Sequence, residues 1–154
     1  MYMKNLKSLF SLLLLALSLH VASCAKETDI AGNAEQTMVV SYTTLDGCWR
    51  LDAWNMESMS EQTYCYVDFD RTKRRFEMWD NISSMYARKT TGTFSIEQDN
   101  HKRYILGGTY DHGVGDWNME YEVVMFHPGD RMTWRSTTSE DMFTYTRVES
   151  IPEL

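Results

Sequence analysis

The chain has 154 residues, and its 22 acidic against 15 basic side chains give a net charge of −7 at pH 7. A chain of this length accommodates one domain with a single core rather than two domains. The acidic balance argues against a nucleic-acid partner, because phosphate binding needs a basic surface. Aromatic residues make up 13% of the chain and only two prolines occur, a composition that favours β-strands.

The first 23 residues have the pattern of a secretory signal peptide. Lys4 and Lys7 precede an apolar stretch, residues 9–19, that is too short to span a bilayer comfortably. The run Val21-Ala22-Ser23-Cys24 then resembles a bacterial lipobox. That resemblance implies cleavage before Cys24 and acylation of this cysteine, with palmitate among the chains, and several acyl chains give a stable anchor. The alternative is an ordinary secretory signal in which the cysteine occurs by chance.

Residues 24–43 are predicted to be the lipidated cysteine and a flexible tether, because they are small and polar apart from Met38-Val39-Val40. Lys26-Glu27 and Asp29 resemble the charged segment that marks surface export in lipoproteins of Bacteroidota. We therefore expect a lipid anchor in the outer membrane, with the periplasmic and the surface face both open. The folded domain is predicted to occupy residues 44–154.

Short segments of alternating apolar and polar residues recur along this domain, with turn residues between them, which is typical of a sandwich or a barrel. In the sixth segment, for example, Trp117, Met119, Tyr121, Val123 and Met125 alternate with other residues and should point inward. In three other segments the predicted inward pairs are Phe76 and Met78, Phe94 and Ile96, and Met132 and Trp134. The pattern predicts eight strands: Gly47–Asn55, Gln62–Asp70, Arg74–Asp80, Thr91–Gln98, Arg103–Tyr110, Trp117–Phe126, Arg131–Ser136 and Asp141–Val148.

Gly47-Cys48-Trp49 opens the first predicted strand and Tyr145-Thr146-Arg147 closes the last. These two ends of the domain resemble those of the lipocalin superfamily, which belongs to the calycins. The segments at 66–79 and 91–94 are similar to small lipocalin-like lipoproteins of Bacteroidota. The resemblance implies an all-β fold, an eight-stranded antiparallel up-and-down barrel, in which Trp49 lies across the floor and Arg147 covers the indole. A guanidinium stacked on an indole would plug the narrow end of such a barrel.

The sequence contains no motif that indicates an enzyme. His101, His112 and His127 fall in predicted turns without the close spacing of a zinc site. Most aspartates border turns, where they cap the backbone. Neither a Gly-x-Ser-x-Gly elbow nor a phosphate-binding glycine loop occurs. We therefore predict a non-enzymatic protein without a metal or a cofactor.

Aromatic residues near strand ends are the feature that favours binding. Rings at a barrel mouth could hold a small planar, apolar or sugar-like molecule. The alternative is that they fill the core, and the protein would then be a protein-interaction or inhibitor module with a filled barrel. The predicted ligand-binding residues are Trp79, Tyr110, Trp117, Tyr121, Trp134 and Tyr145.

Two cysteines remain after the lipidated one. Cys48 and Cys65 lie on consecutive predicted strands, so they could be neighbours across a hairpin in a compartment that permits disulfides. A slip of one residue would place them on opposite faces. The sequence leaves open a disulfide or two separate buried thiols.

Overall fold

The computed structural model describes residues 35–111 and 120–154 of the chain. Ten strands and one short helix, α1 (Tyr42–Leu45), form within this part. The strands are β1 (Thr37–Met38), β2 (Gly47–Trp54), β3 (Glu57–Ser58), β4 (Cys65–Asp70), β5 (Arg75–Asp80), β6 (Arg88–Gln98), β7 (Tyr104–Tyr110), β8 (Tyr121–Phe126), β9 (Arg131–Ser136) and β10 (Met142–Val148).

Eight of these strands close into one antiparallel barrel. β2 pairs with β4, each later strand pairs with the next along the chain, and β10 returns to pair with β2. The short strands β1 and β3 are added at β8 and β2. The predicted eight-stranded antiparallel barrel is therefore confirmed, and every predicted strand overlaps an observed one. The predicted sixth strand began at Trp117, which lies outside the described residues.

The alternation in the sequence sets the two faces of each strand. Val123 and Met125 are buried, as are Phe76 and Phe94 and the pair Met132 and Trp134 on β9. These side chains meet inside the barrel, in one continuous apolar cluster. The inward faces predicted from period-two alternation are thus the observed ones for these strands.

Residues 35–43 differ from the predicted flexible tether. Glu35–Leu154 form one compact unit, and β1 pairs with the end of β8. Ser41 caps helix α1 by accepting from the Thr44 backbone N–H, while Thr44 Oγ1 accepts from the Ser41 backbone N–H. Val40 is buried against the barrel. This segment is held because its few apolar side chains cover the end of the core.

One end of the barrel is plugged by Trp49 and Arg147, which are directly opposed on β2 and β10. The Arg147 guanidinium carbon lies 4.2 Å from the centre of the fully buried Trp49 ring. Each donor nitrogen of Arg147 also donates to a main-chain carbonyl, those of Thr44, Asp46 and Gly129. The indole in turn donates to the Leu45 carbonyl at 2.8 Å. The contact that the resemblance implied between these two side chains is present.

Gly47 is required at the start of β2 by this arrangement. Its φ of +101° belongs to a region that residues with a side chain rarely adopt. A Cβ atom there would also lie 3.1 Å from Arg147 Nη1. The glycine of the Gly-x-Trp motif therefore lets the guanidinium approach the floor of the barrel. We call this the closed end, and the opposite one the open end.

Candidate ligand-binding site

The two halves of the barrel interior differ in how completely they are filled. Large side chains with almost no exposed surface fill the closed half: Leu45, Trp49, Phe69, Leu106, Met125 and Met132. The open half contains a cavity of about 270 Å³. The cavity reaches solvent beside Trp54 and Ile82, which line it and are partly exposed. The barrel is neither empty throughout nor filled throughout.

Strand register brings three polar side chains together on the cavity wall. Cys65 at the start of β4 lies opposite Asp80 at the end of β5, and Asp80 lies opposite Arg88 at the start of β6. All three line the cavity. The alternation that points Phe76 and Met78 inward also points Asp80 inward, because side chains repeat every second residue. A charged pair is therefore held at the edge of an apolar chamber.

Asp80 and Arg88 form an ion pair in which the two partners differ in exposure. The Asp80 side chain is 3% exposed and that of Arg88 is 53% exposed. Arg88 Nη2 donates to Oδ1 at 3.2 Å and to Oδ2 at 3.1 Å, and Nε approaches Oδ2 at 3.4 Å. The Ile82 backbone N–H adds a donor to Asp80 at 3.3 Å. These contacts keep the buried carboxylate hydrogen-bonded, as a buried charge requires.

The thiol and phenol groups in the cavity are held neutral. Burial, reinforced by the charge of Asp80, raises the pKa of Cys65 to about 12. Burial likewise raises the pKa of Tyr145 well above its ordinary value. The pKa values of Tyr110 and Tyr121 are also raised, mainly by burial. A thiol with a raised pKa is a poor nucleophile, so Cys65 acts in this wall as a small neutral side chain.

Aromatic rings form the rest of the chamber around Trp134. The centre of its ring lies 4.5 Å from Tyr145, 5.6 Å from Tyr121 and 6.0 Å from Phe69. Phe143 packs edge-on to Tyr121 at 5.8 Å. Tilted and edge-on rings at these distances give a wall of fixed shape, because the rings hold one another in place. Such a wall suits a flat apolar molecule.

Four of the six predicted ligand-binding residues line this cavity: Tyr110, Tyr121, Trp134 and Tyr145. Trp117 lies outside the described residues. Trp79 is a correction, because it lies on the outer wall, where its indole donates to Glu77 Oε1 and Lys89 lies over its ring. The reason is parity, since Trp79 is one residue away from the inward-pointing Met78 and Asp80. The Asp80–Arg88 pair was not predicted.

Cys48 and Cys65 are two separate buried thiols, so the disulfide alternative is wrong. Cys48 lies opposite Asp68, three residues beyond Cys65 on β4. An odd offset places the two cysteines on opposite faces of the sheet. Cys65 therefore points into the barrel, with its neighbours Val67 and Phe69, while Cys48 lies on the outer face.

Two further features were sought in the described part of the chain, a cluster of metal ligands and a membrane-spanning helix. Between residues 35 and 111 and between 120 and 154, no three His, Cys, Asp or Glu side chains cluster as metal ligands. No helix in the same ranges is long and apolar enough to cross a membrane. Cys24 and His112 lie outside these ranges.

No protein-family model, curated protein or solved structure matches this chain. The closed barrel thus rests on the structure alone. The likeness to lipocalins, and to lipoproteins of Bacteroidota, stays a prediction from the sequence.

Proposed function

We propose that this protein is a non-enzymatic lipoprotein of the bacterial cell envelope, with a lipocalin-like barrel that binds a small, flat and largely apolar molecule in its open half. The observation that carries the proposal is the cavity of about 270 Å³ beside Trp134, with a fixed aromatic wall and an opening to solvent. An apolar protein cavity of about 150 Å³ is known to hold benzene, so this one has room for about two rings.

The chemistry of the wall favours an apolar ligand over a sugar. Most of the lining surface is aromatic or aliphatic, and its polar groups are those of Cys65, Asp80, Ser83 and Arg88 and the hydroxyls of three tyrosines. A sugar buried in such a chamber would leave several hydroxyl groups without partners, and each unmade hydrogen bond costs about 1–3 kcal/mol. An aromatic ring with a single polar group at one end would leave no hydroxyl group without a partner.

A cavity-filling substitution tests this proposal. Val67 is buried and lines the cavity, so Val67→Phe places a ring in the space of the ligand. The matched control is Val124→Phe, because Val124 lies on β8 between the inward-pointing Val123 and Met125 and faces outward. Calorimetric titration with naphthalene derivatives should show binding to the wild type and to the control. Val67→Phe should weaken it about 10- to 100-fold, the value of one buried ring.

The outcome that overturns the proposal is equally direct. If no one- to three-ring aromatic molecule binds the wild type, the cavity does not serve as a binding site. If Val67→Phe and Val124→Phe bind the probe equally, the probe binds elsewhere on the protein. Circular dichroism and thermal unfolding of both variants show whether the barrel is retained.

The envelope location is supported by the lipobox at Cys24. Wild-type protein expressed in bacteria should partition into detergent, and Cys24→Ser should stay in the aqueous phase. Cys48→Ser is the control that should partition like the wild type, and equal partitioning of all three would exclude lipidation.

A protein-interaction module is a second candidate, favoured by apolar side chains exposed at the mouth. Trp54, Met56, Ile82, Met85 and Tyr86 are all exposed, and the last two are 92% and 80% exposed. If this rim docks a protein, then Met85→Asp with Tyr86→Asp should abolish complex formation with that protein and leave naphthalene binding unchanged. Loss of probe binding with the complex intact would assign the rim to the ligand instead.

A further inference from the structure

Arg88 presents to the mouth of the cavity an edge, Nη1 and Nη2, that Asp80 leaves partly unused. A planar guanidinium has two edges that can bind a carboxylate with two donors, one through Nε and Nη2 and one through Nη1 and Nη2. Asp80 accepts from the first edge. Among the residues that the structure describes, no oxygen accepts from Arg88 Nη1. Nη2, which both edges share, donates to both Asp80 oxygens, so Nη1 is the nitrogen of the second edge that remains for a ligand.

Asp80 holds that edge in place without competing for it. Its carboxylate is almost fully buried, and both of its oxygens already accept hydrogen bonds from Arg88. A cationic ligand is disfavoured, because the exposed partner of the pair is the guanidinium and both Asp80 oxygens already accept hydrogen bonds. An acceptor group, by contrast, meets Arg88 first. The asymmetry in exposure thus selects for an anionic or strongly accepting group.

The apolar wall continues inward from this edge. Arg88 and Asp80 stand at the ends of their strands, and Val67, Phe69 and Trp134 lie deeper in the same cavity. A ligand with one charged end and a flat apolar body would place its charge on Arg88 and its rings against Trp134. A charge-assisted hydrogen bond is stronger than a neutral one, so a charged end on Arg88 would add to the binding of the apolar body.

We propose that the ligand of this barrel is a small aromatic carboxylic acid, bound with its carboxylate on the outer edge of Arg88 and its ring in the cavity. The inference rests on the proposed ligand-binding function and names the class of ligand. Asp80 is a positioning residue in this arrangement, since it orients Arg88 and does not touch the ligand.

Two nearly isosteric probes test the carboxylate. Naphthalene-2-carboxylate and 2-acetylnaphthalene differ in replacing a charged oxygen by a methyl group. The wild type should bind the carboxylate at least about tenfold more tightly, the contribution of a charge-assisted hydrogen bond. Arg88→Met should remove this preference and leave the affinity for the ketone unchanged. Arg88→Lys, which keeps the charge but lacks the fork, should retain only part of it.

Two further variants keep the result interpretable. Arg88→Met alone leaves Asp80 buried and unpaired, which can unfold the barrel. Asp80→Asn combined with Arg88→Met removes both charges and should lose the preference while staying folded. Lys89→Met is the matched control, because Lys89 is the next residue, carries the same charge and stacks on Trp79 at the outer wall. It should bind both probes like the wild type.

The outcomes separate this inference from the function on which it rests. If neither probe binds the wild type, the proposed function fails. If both probes bind the wild type equally, or if Arg88→Met keeps the preference for the carboxylate, the ligand class is overturned and the binding function stands.

Discussion

Truncating Trp49 should strongly destabilise the barrel. The Trp49 side chain is fully buried, its ring is covered by Arg147 at 4.2 Å, and its Nε1 donates to the Leu45 carbonyl. Replacing a buried Trp by Ala costs about 3–5 kcal/mol. We expect Trp49→Ala to cost about 4–5 kcal/mol, because Arg147 is bonded to three main-chain carbonyls and cannot collapse into the space. That approaches the whole stability of a marginal domain, about 5 kcal/mol.

The measurement is urea unfolding at equilibrium, followed by circular dichroism, for the wild type and for two Trp→Ala variants. Trp79→Ala is the matched control, since Trp79 lies on the outer wall and is only partly buried. It should cost about 1 kcal/mol or less, as surface changes do. Equal costs for the two variants, or a cost below about 1 kcal/mol for Trp49→Ala, would refute the reasoning that this indole plugs the barrel.

Three further predictions concern buried backbone and thiol groups. Gly92→Ala should cost about 1–3 kcal/mol in urea unfolding, because its Cβ would lie 2.2 Å from the Thr109 carbonyl oxygen. Gly107→Ala should be close to neutral, since its Cβ would lie 3.7 Å from Ser95 Oγ, an ordinary van der Waals contact, and similar costs for the two would contradict the steric argument. Alkylation of unfolded, unreduced protein followed by mass mapping should label both Cys48 and Cys65, and an unlabelled pair would mean that a disulfide forms. The pKa of Cys65 is about 12 in the folded protein against an ordinary 9.0, so the unfolded chain loses this proton first. The free energy of unfolding should therefore fall as pH rises from about 9 towards about 12. Cys65→Ala should lessen that fall. If the free energy of unfolding depends on pH in the same way in the wild type and in Cys65→Ala, the thiol is not buried in solution.

Local rules predicted from the sequence which side chains of the barrel wall point inward. Alternation along each strand depends only on which side chains are apolar, and it identified the inward faces of β5, β6, β8 and β9. The same rule already implied that Trp79 points outward once Phe76 and Met78 point inward. The motif at Gly47 and Trp49 and its partner Arg147 were recognisable because the plug of a closed sheet needs these residue types in direct contact.

The sequence could not predict the register between β2 and β4, because the chain forms the short strand β3 between them. β2 first folds back on the short strand β3, with Ala53 opposite Ser58, and the turn at Asn55 and Met56 has positive φ at both residues. After β3 the chain leaves the sheet and returns as β4, which pairs with β2 in a different register from β3. Turn position alone could not reveal this second pairing, so the relation of Cys48 to Cys65 was decided by the fold.

The sequence by itself determined the eight barrel strands, the inward faces of several of them and four of the rings that line the cavity, because each of these depends on neighbours along the chain. The plugged end was what the resemblance to lipocalins implied. Only the tertiary structure decided that the barrel is filled at one end and open at the other. The free volume depends on side chains from many strands at once, and no single segment carries that sum. The meeting of Asp80 with Arg88 had the same origin, since it depends on how the loop at residues 81–87 returns the chain to β5. That contact placed a charged edge at the mouth of an apolar chamber.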